Sequence, residues 1–561
     1  MRKKKSRQNR LSRTSSIVPE IENVFTLVLE EKIEELTNFI LSGENEIWNI
    51  KRGEDLTVLH NACAFDKTNV IETIINQTKK RLKLNADSSL SEDEKRANEK
   101  IFKGFINAKT QIDNQTALHY ASFRGNIKII KLLIENHAEI NALTGKGYNM
   151  LHKAAQGNKP SAIVYFNKKY KIDLKSVEEN QQNALHLATS SGMDNSVIFL
   201  LALGIDPNAK DKNGLTALHI AVKKNNLRII KKLLQKGADK NIMDNKSKKT
   251  PVILAKNNPE ILEIFRKKGV CEKLFFKPDI TEKKLCSNKN MIFFITLHLL
   301  IFFLDFFLLF PFFDNTPFSI SYLIISLLVF VLFFILSISN PGKMLNEKYK
   351  DLLDIVEKGE EVENFCPYCL VKNKFSSMHC LICQKCIDEF DHHCFWVGNC
   401  VGKNNYTLFF IFLIYILLNI LFNIGVNIYF LVTQFMSSST EKGIKNTSLP
   451  DFYFWGDSLL YHRTFRIIIS ICIFIICISF FIPLFSLFRI QIPAITKRRQ
   501  IRKDEKEYER NKLREQLDEE VWEDLVYEED DNNEMIEIEV KDNNNTINDE
   551  INDNNEPLIE K

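Results

Sequence analysis

The chain has 561 residues and a net charge of +4; 45% of its residues are hydrophobic and 26% charged, with 19 Gly and 14 Pro. These proportions exclude a collagen-like or wholly disordered chain, and the length requires several domains. A wholly soluble protein is excluded too, because 53 residues from Asn290 to Gly342 and 38 from Asn404 to Glu441 lack Lys and Arg, and Ile467–Phe488 carries no charge.

The opening Met1-Arg2-Lys3-Lys4-Lys5 is basic and has no apolar signal core. Residues 1–21 are therefore expected to be a disordered basic tail. From 22 to 270 the sequence repeats itself. Thr116-Ala117-Leu118-His119-Tyr120-Ala121 returns as Asn149–Ala154, Asn183–Ala188 and Thr216–Ala221, with His-to-His steps of 33, 34 and 33 residues. An earlier copy, Thr57–Ala62, stands 59 residues ahead because a polar insert at about 79–100 interrupts the series. A later one, Thr250–Ala255, keeps the period and loses the His. Phrase and period resemble the ankyrin repeat, a turn followed by two antiparallel helices, in six or seven copies counting one around Val24–Gly43. In that family the repeat histidines tie down turns, so His60, His119, His152, His186 and His219 leave the list of chemical candidates. Such arrays bind peptides of other proteins.

Four apolar stretches follow, at 291–313, 318–338, 406–432 and 465–488, each long enough to span a bilayer. Seven Lys lie between Lys267 and Lys289, the turn Pro311–Pro317 has no Lys or Arg, and ten Lys/Arg fall in Arg489–Gln516. The positive-inside rule then puts both termini and residues 343–405 in the cytosol, and the 433–464 loop in the lumen. Asn419, Asn423 and Asn427 share one helix face and are read as interhelical hydrogen-bonding groups. Residues 489–516 form a basic cytosolic segment. The remaining 517–561, with 18 acidic residues against two Lys, are expected to be a disordered acidic tail. The fold class expected is all-α: a repeat solenoid, then a four-helix transmembrane bundle with a cytosolic cysteine-rich domain.

Seven of the twelve Cys fall within 35 residues: Cys366, Cys369, Cys380, Cys383, Cys386, Cys394 and Cys400. Without a secretory signal, such clustering reads as metal ligation in a reducing compartment, not a disulfide framework. With His379, His392 and His393 there are ten potential ligands. Two closed four-coordinate sites consume eight. If the remainder is a thiol and an imidazole beside Asp391, it has the make-up of an activated nucleophile. A purely structural zinc module with a spare Cys fits the spacing as well.

The segment Asp391-His392-His393-Cys394, followed by Trp396-Val397-Gly398-Asn399-Cys400-Val401-Gly402 and by Asn405 and Phe409, resembles the cysteine-rich domain of DHHC-type protein S-acyltransferases. Four membrane helices with this domain between the second and third, and an ankyrin array ahead of them, resemble that family's ankyrin-bearing branch. The resemblance implies one structural zinc on Cys366, Cys369, His379 and Cys386 and another on Cys380, Cys383, His393 and Cys400. It implies Cys394 as the acyl-accepting nucleophile, His392 as its base and Asp391 as the group orienting that imidazole. The implied co-substrate is acyl-CoA (palmitoyl-CoA), and the acceptors are cysteine-bearing proteins recruited by the array. Membrane lipid is an expected partner, nucleic acid is not, and the expected location is an endomembrane, Golgi or ER. The chain departs from the family at Phe395, where Pro is usual, and at Asn340-Pro341-Gly342, where Asp-Pro-Gly is usual. The Thr-Thr-x-Glu usual after the fourth helix has only Ile495–Arg498 as a counterpart. A catalytically silent scaffold is the alternative. The repeats carry no leftover reactive set, so acyl loading is expected to be independent of them.

Overall fold

The structure is a computed structural model and describes residues 24–42, 46–53, 55–84, 91–266, 289–305, 316–346, 348–374, 376–436 and 463–526. The basic tail, the turn at 311–315, residues 437–462 of the loop expected to be lumenal and the acidic stretch after 526 lie outside the described residues. The chain divides into two compact units, Met1–Ile490 and Gln491–Lys561.

The first unit begins with the repeats. Residues 24–29 are helical and precede α1 (Ile33–Leu41). A small hairpin, β1 (Lys51–Arg52) and β2 (Leu56–Thr57), leads into α2 (Val58–Ala64) and α3 (Thr68–Arg81). After α4 (Glu92–Ile106) come the pairs α5 (Ala117–Arg124) and α6 (Ile127–Glu135), then α7 (Met150–Gln156) and α8 (Pro160–Lys168). The series continues with α9 (Ala184–Ser190) and α10 (Asp194–Leu203), α11 (Ala217–Lys223) and α12 (Leu227–Gln235), and α13 (Pro251–Leu254) and α14 (Pro259–Phe265).

The repeated phrase is a capping device. At Thr57, Thr116, Asn149, Asn183 and Thr216 the side chain caps the helix while the N3 histidine reaches back to the cap residue's N–H. The ring's other nitrogen crosses to the next turn: His60 to Gln115 O at 3.0 Å, His119 to Tyr148 O at 3.2 Å, His219 to Lys249 O at 3.2 Å. Each buried imidazole therefore accepts on Nδ1, donates from Nε2 and stays neutral. Burial lowers the pKa of His60, His119 and His152 to about 4. The bond from His60 steps over the insert, so α2 still stacks on α5. The described second half of that insert is not a loop: Ser91 and Glu94 form a capping box for α4, which buries Phe102, Phe105 and Ile106.

Four apolar helices follow: α15 (Lys289–Leu304), α16 (Thr316–Ile338), α18 (Tyr406–Met436) and the start of α19 (Arg463–Val526). Among the described residues three stretches are long and apolar enough to cross a membrane, Ile320–Ile338, Tyr406–Thr433 and Ile467–Asp504. Met291–Leu304 is a shorter apolar helix that ends close to undescribed residues 306–315, so three of the four expected spans are found among the described residues. The α19 helix runs on through the basic segment to Val526, ten residues into the stretch expected to be disordered.

Polar groups on α18 join these helices. Asn419 Nδ2 donates to Ser326 Oγ at 2.8 Å, and Ser470 Oγ donates to Asn427 Oδ1 at 2.8 Å. The Tyr322 hydroxyl lies 3.0 Å from Asp305 Oδ2 and 3.2 Å from Asn423 Oδ1. The asparagine face thus does what its spacing suggested, at roughly 0.6 kcal/mol for a typical bond of this kind.

Between α16 and α18 lie α17 (Leu352–Glu357), a 3₁₀ turn at Val362–Asn364, and two hairpins. The hairpins are β3 (Met378–Cys380) with β4 (Lys385–Ile387), and β5 (His392–Cys394) with β6 (Asn399–Val401). The chain is mostly helical, but these strands correct the all-α expectation. Each is three residues long, too short for an alternating apolar pattern to announce it.

Candidate metal centres and nucleophile

Strand parity distributes the clustered side chains. Successive residues of a strand point to opposite faces, and directly opposed residues of a hairpin share one. His379 stands opposite Cys386 on the β3–β4 hairpin, while Cys380, one residue on, faces the other way. His393 stands opposite Cys400 on the β5–β6 hairpin, and its neighbours His392 and Cys394 share the reverse face.

Two clusters result. In the first, His379 Nδ1 is 3.6 Å from Cys366 Sγ, 3.2 Å from Cys369 Sγ and 3.9 Å from Cys386 Sγ. In the second, His393 Nδ1 is 3.9, 3.3 and 3.5 Å from the sulfurs of Cys380, Cys383 and Cys400. In each cluster all four ligand atoms lie within 4.8 Å of one another. A tetrahedral ion with bonds of ~2.3 Å to sulfur and ~2.05 Å to nitrogen would set S···N edges near ~3.6 Å, so both clusters fit one. Their electrostatics ask for a cation. Hydrogen bonds among the sulfurs push the Cys366 and Cys380 thiols far down, while hydrogen bonds to those same sulfurs, then burial and their charge, push Cys386 and Cys400 far up. Three sulfurs this close do not all ionise unless positive charge sits between them.

Cys394 belongs to neither cluster. Its side chain is buried on the β5 face shared with His392. Asp391 Oδ2 is 2.6 Å from His392 Nδ1, so Nδ1 donates there and Nε2 is left to accept a proton. Burial opposes charge on His392, but hydrogen bonds and charge from Asp391 and Cys394 outweigh it and raise its pKa to about 9. The Phe409 ring stands edge-on at 5.1 Å and limits how the imidazole can turn. Thiol, imidazole and carboxylate together have the make-up of an activated nucleophile.

The motif residues around this set hold it against α16 and α18. Asn399 Nδ2 donates to Leu336 O at 3.0 Å and Ser339 O at 2.8 Å, capping the end of α16. Asn405 donates to Cys400 O at 2.9 Å and Ser339 Oγ at 3.0 Å, and accepts from Gly402 N–H. Asn340 Oδ1 accepts from Gly342 and Lys343 N–H, turning the chain so that Met344 N–H meets Cys386 O at 3.0 Å. The change from Asp to Asn thus keeps an acceptor where one is needed. Phe395 packs edge-on at 5.0 Å from the His393 ring. Trp396 sits among Phe293, Phe294 and Phe480, with centroids 6.0–6.4 Å away. Ile495–Arg498 lies in the second unit. Sequence reasoning missed the anchoring role of Asn399; its only signal was an amide side chain within a recognisable motif.

The sequence model of the DHHC palmitoyltransferase family matches residues 359–508. The model of three ankyrin repeats matches 26–144, 94–176, 118–211, 151–244 and 185–274. Over 101 residues the chain is 38% identical to palmitoyltransferase Hip14 of Drosophila melanogaster, covering 17% of this chain and 16% of that protein. It is 33% identical over 151 residues to human palmitoyltransferase ZDHHC13, 25% of this chain and 24% of that one. With palmitoyltransferase ZDHHC17 of Danio rerio the figures are 40% over 83 residues, 14% and 13%. The matched stretches therefore span less than a quarter of these relatives' lengths. Matched at both its repeats and its cysteine-rich segment, the chain is similar to ankyrin-repeat-containing DHHC palmitoyltransferases.

Proposed function

We propose that the protein is a membrane-bound S-acyltransferase that moves a fatty acyl group, palmitoyl in the first instance, from acyl-CoA to cysteine thiols of other proteins. One observation carries the reading: two four-ligand clusters are complete without Cys394, and the leftover thiol shares a strand face with an imidazole held by Asp391 at 2.6 Å. A silent scaffold gives Asp391 and His392 nothing to do.

Both clusters suit zinc, whose borderline-soft character matches three thiolates and an imidazole. Every position is filled by protein, so zinc there would be structural and would stabilise the fold that presents β5. The chemistry falls to the chain's own residues. A free thiol with a pKa of ~8.5 is mostly protonated at neutral pH. His392 Nε2 takes the Cys394 proton while Asp391 stabilises the imidazolium, and the thiolate attacks the acyl-CoA carbonyl. The new Cys394 thioester forms as the bond to CoA sulfur breaks, and CoA leaves with the proton from His392. A substrate thiol then gives its proton to His392, attacks the Cys394 thioester and restores the Cys394 thiol. The apolar helices take up the fatty chain, each buried CH₂ contributing ~0.8 kcal/mol.

The array recruits substrates. A cavity of about 300 Å³ on the array is lined by Ala64, Gln115, Tyr120, Phe123, Arg124 and Lys153. Both termini are cytosolic, and the protein resides in an endomembrane, Golgi or ER. The test is acyl loading from labelled palmitoyl-CoA by purified protein. Label should sit on Cys394, leave with hydroxylamine and be absent from Cys394→Ser, while zinc stays near two per chain. Loss of a zinc in that variant, or label elsewhere, refutes the assignment.

A further inference from the structure

The array and the cysteine-rich segment share a buried core. The outer helix of a repeat needs one apolar stripe to stack on its neighbours, as in α12, where Ile229, Ile230, Leu233 and Leu234 are buried among exposed cations. The α8 helix breaks that pattern: Pro160 through Phe166 are all buried, and no charge occurs before Lys168. Its extra apolar face is covered by the lead-in to the first cluster. Tyr349, Leu352, Ile355, Val356, Val362 and Phe365 join the array's own apolar cluster, none more than 7% exposed. Both α17 and the 362–364 turn pack on α8.

Polar contacts fix the register of this joint. Ser161 Oγ donates to Glu363 Oε2 at 3.0 Å and accepts from Val362 N–H at 3.3 Å. Lys169 Nζ pairs with Glu357 Oε1 at 3.1 Å. Farther along, the Lys236 ammonium lies 3.8 Å from the centre of the Tyr368 ring, and that ring lies 4.9 Å from the ring of His379. Tyr368 stands between Cys366 and Cys369. An array residue thus touches the residue packed on a candidate metal ligand.

We propose that the ankyrin array is a brace for the first metal centre: α8 seats residues 349–365, and that seat fixes where the Cys366–Cys369 turn begins. The sequence-based expectation of an array independent of the chemistry gives way here to a single cooperative body. The proposal rests on the metal-ligand reading of Cys366, Cys369, His379 and Cys386, and not on acyl transfer.

The test uses full-length protein loaded with zinc. A carbodiimide condenses an amine and a carboxylate in contact into an amide with loss of water, so it should join Lys169 to Glu357. The Lys67–Glu31 pair, internal to the array, reports array folding. In parallel, alkylation of Cys369 under a chelator is read against Cys383 of the second cluster by peptide mass spectrometry. Ser161→Glu sets a carboxylate against Glu363. It should remove the Lys169–Glu357 amide, keep the Lys67–Glu31 amide, and speed Cys369 alkylation at least five-fold with Cys383 unchanged. Should Ser161→Glu also lose the Lys67–Glu31 amide, Ser161→Ala decides, with an expected two-fold or greater acceleration at Cys369. Absence of the Lys169–Glu357 amide in the unmodified chain overturns the proposal. So does unchanged Cys369 alkylation in the variant that keeps its array.

Discussion

Gly402 follows β6 at the point where the Asn340–Gly342 segment crosses the second hairpin. A Cβ placed there would lie 2.4 Å from Ile387 Cγ2, 2.4 Å from Pro341 O and 2.9 Å from Asp388 O. The first is a side-chain methyl and can yield. The other two are main-chain oxygens and cannot move alone: Asp388 O accepts from Lys403 N–H and Asp388 N–H donates to Gly342 O, both at 2.9 Å. Overpacking of this kind costs ~1–3 kcal/mol, and weakening two backbone hydrogen bonds adds ~0.5–1.5 kcal/mol each. We expect Gly402→Ala to destabilise the cysteine-rich domain by about 2–6 kcal/mol, a shift of about thirty-fold or more in equilibrium. Cys400 precedes the site by two residues and Cys386 adjoins Ile387, so the loss should appear as metal release at lower chelator concentration. Gly398→Ala is the comparison. Gly398 has φ +68° and nothing within 4 Å of a built Cβ, so strain alone acts there, at ~1–2 kcal/mol. If Gly402→Ala holds its metal as well as Gly398→Ala does, the close-approach reasoning is wrong.

Cys369→Ser and Cys400→Ser should each cost one metal ion, the first with Cys380 and Cys383 still protected from alkylation, the second with Cys366 still protected. A variant that keeps two ions and normal protease resistance would count against the ligand sets. A pH effect is expected in the array. His60, His119 and His152 have folded pKa values of about 4, held down by burial, against ~6.5 in an unfolded chain. The folded state binds fewer protons, so their contribution is intact above pH 6.5 and is lost as pH falls toward 4, at up to ~1.4 kcal/mol per unit per histidine. Hydrogen exchange in α5 and α7, corrected for intrinsic rates, should lose protection between pH 7 and pH 5; constant protection would mean that the imidazoles are not buried neutral.

What the sequence disclosed, and what it withheld, follow from the range of the interactions involved. The repeats were legible because one phrase returns at a fixed period, and each copy is a local capping device that needs no distant partner. The ligand count was legible because ten candidate groups fall in a short window. Which histidine serves which purpose was not legible from spacing: His392 and His393 are adjacent, and chain distance treats them alike. Hairpin register separates them, setting His393 opposite Cys400 and leaving His392 with Cys394. The joint between α8 and residues 349–365 is farther still from local reading, since Ser161 and Glu363 are 202 residues apart. Even so it left a trace, because Ile163-Val164-Tyr165-Phe166 is apolar on every side where α12 keeps to one stripe.

If the array recruits protein substrates as proposed, its docking changes what would govern transfer to them. On a free arm, the linker between array and catalytic domain would set the effective concentration of the incoming thiol, falling as the −3/2 power of linker length or more steeply. With α8 seated on the lead-in to the first cluster, that linker drops out of the relation. The remaining flexible length is the substrate's own, from the motif held by the array to the cysteine that must reach Cys394. Selectivity then has two parts, the affinity of the motif and the span that follows it. A short span fails because it cannot reach, and a long one loses effective concentration only slowly, since each doubling of a flexible loop costs about 0.6 kcal/mol. On the proposed recruitment, the substrate expected to be acylated best carries its cysteine beyond a minimum distance from the motif, with a gentle decline thereafter, and that minimum would be set by the fixed seat of the array; equal transfer to substrates of every span would refute it.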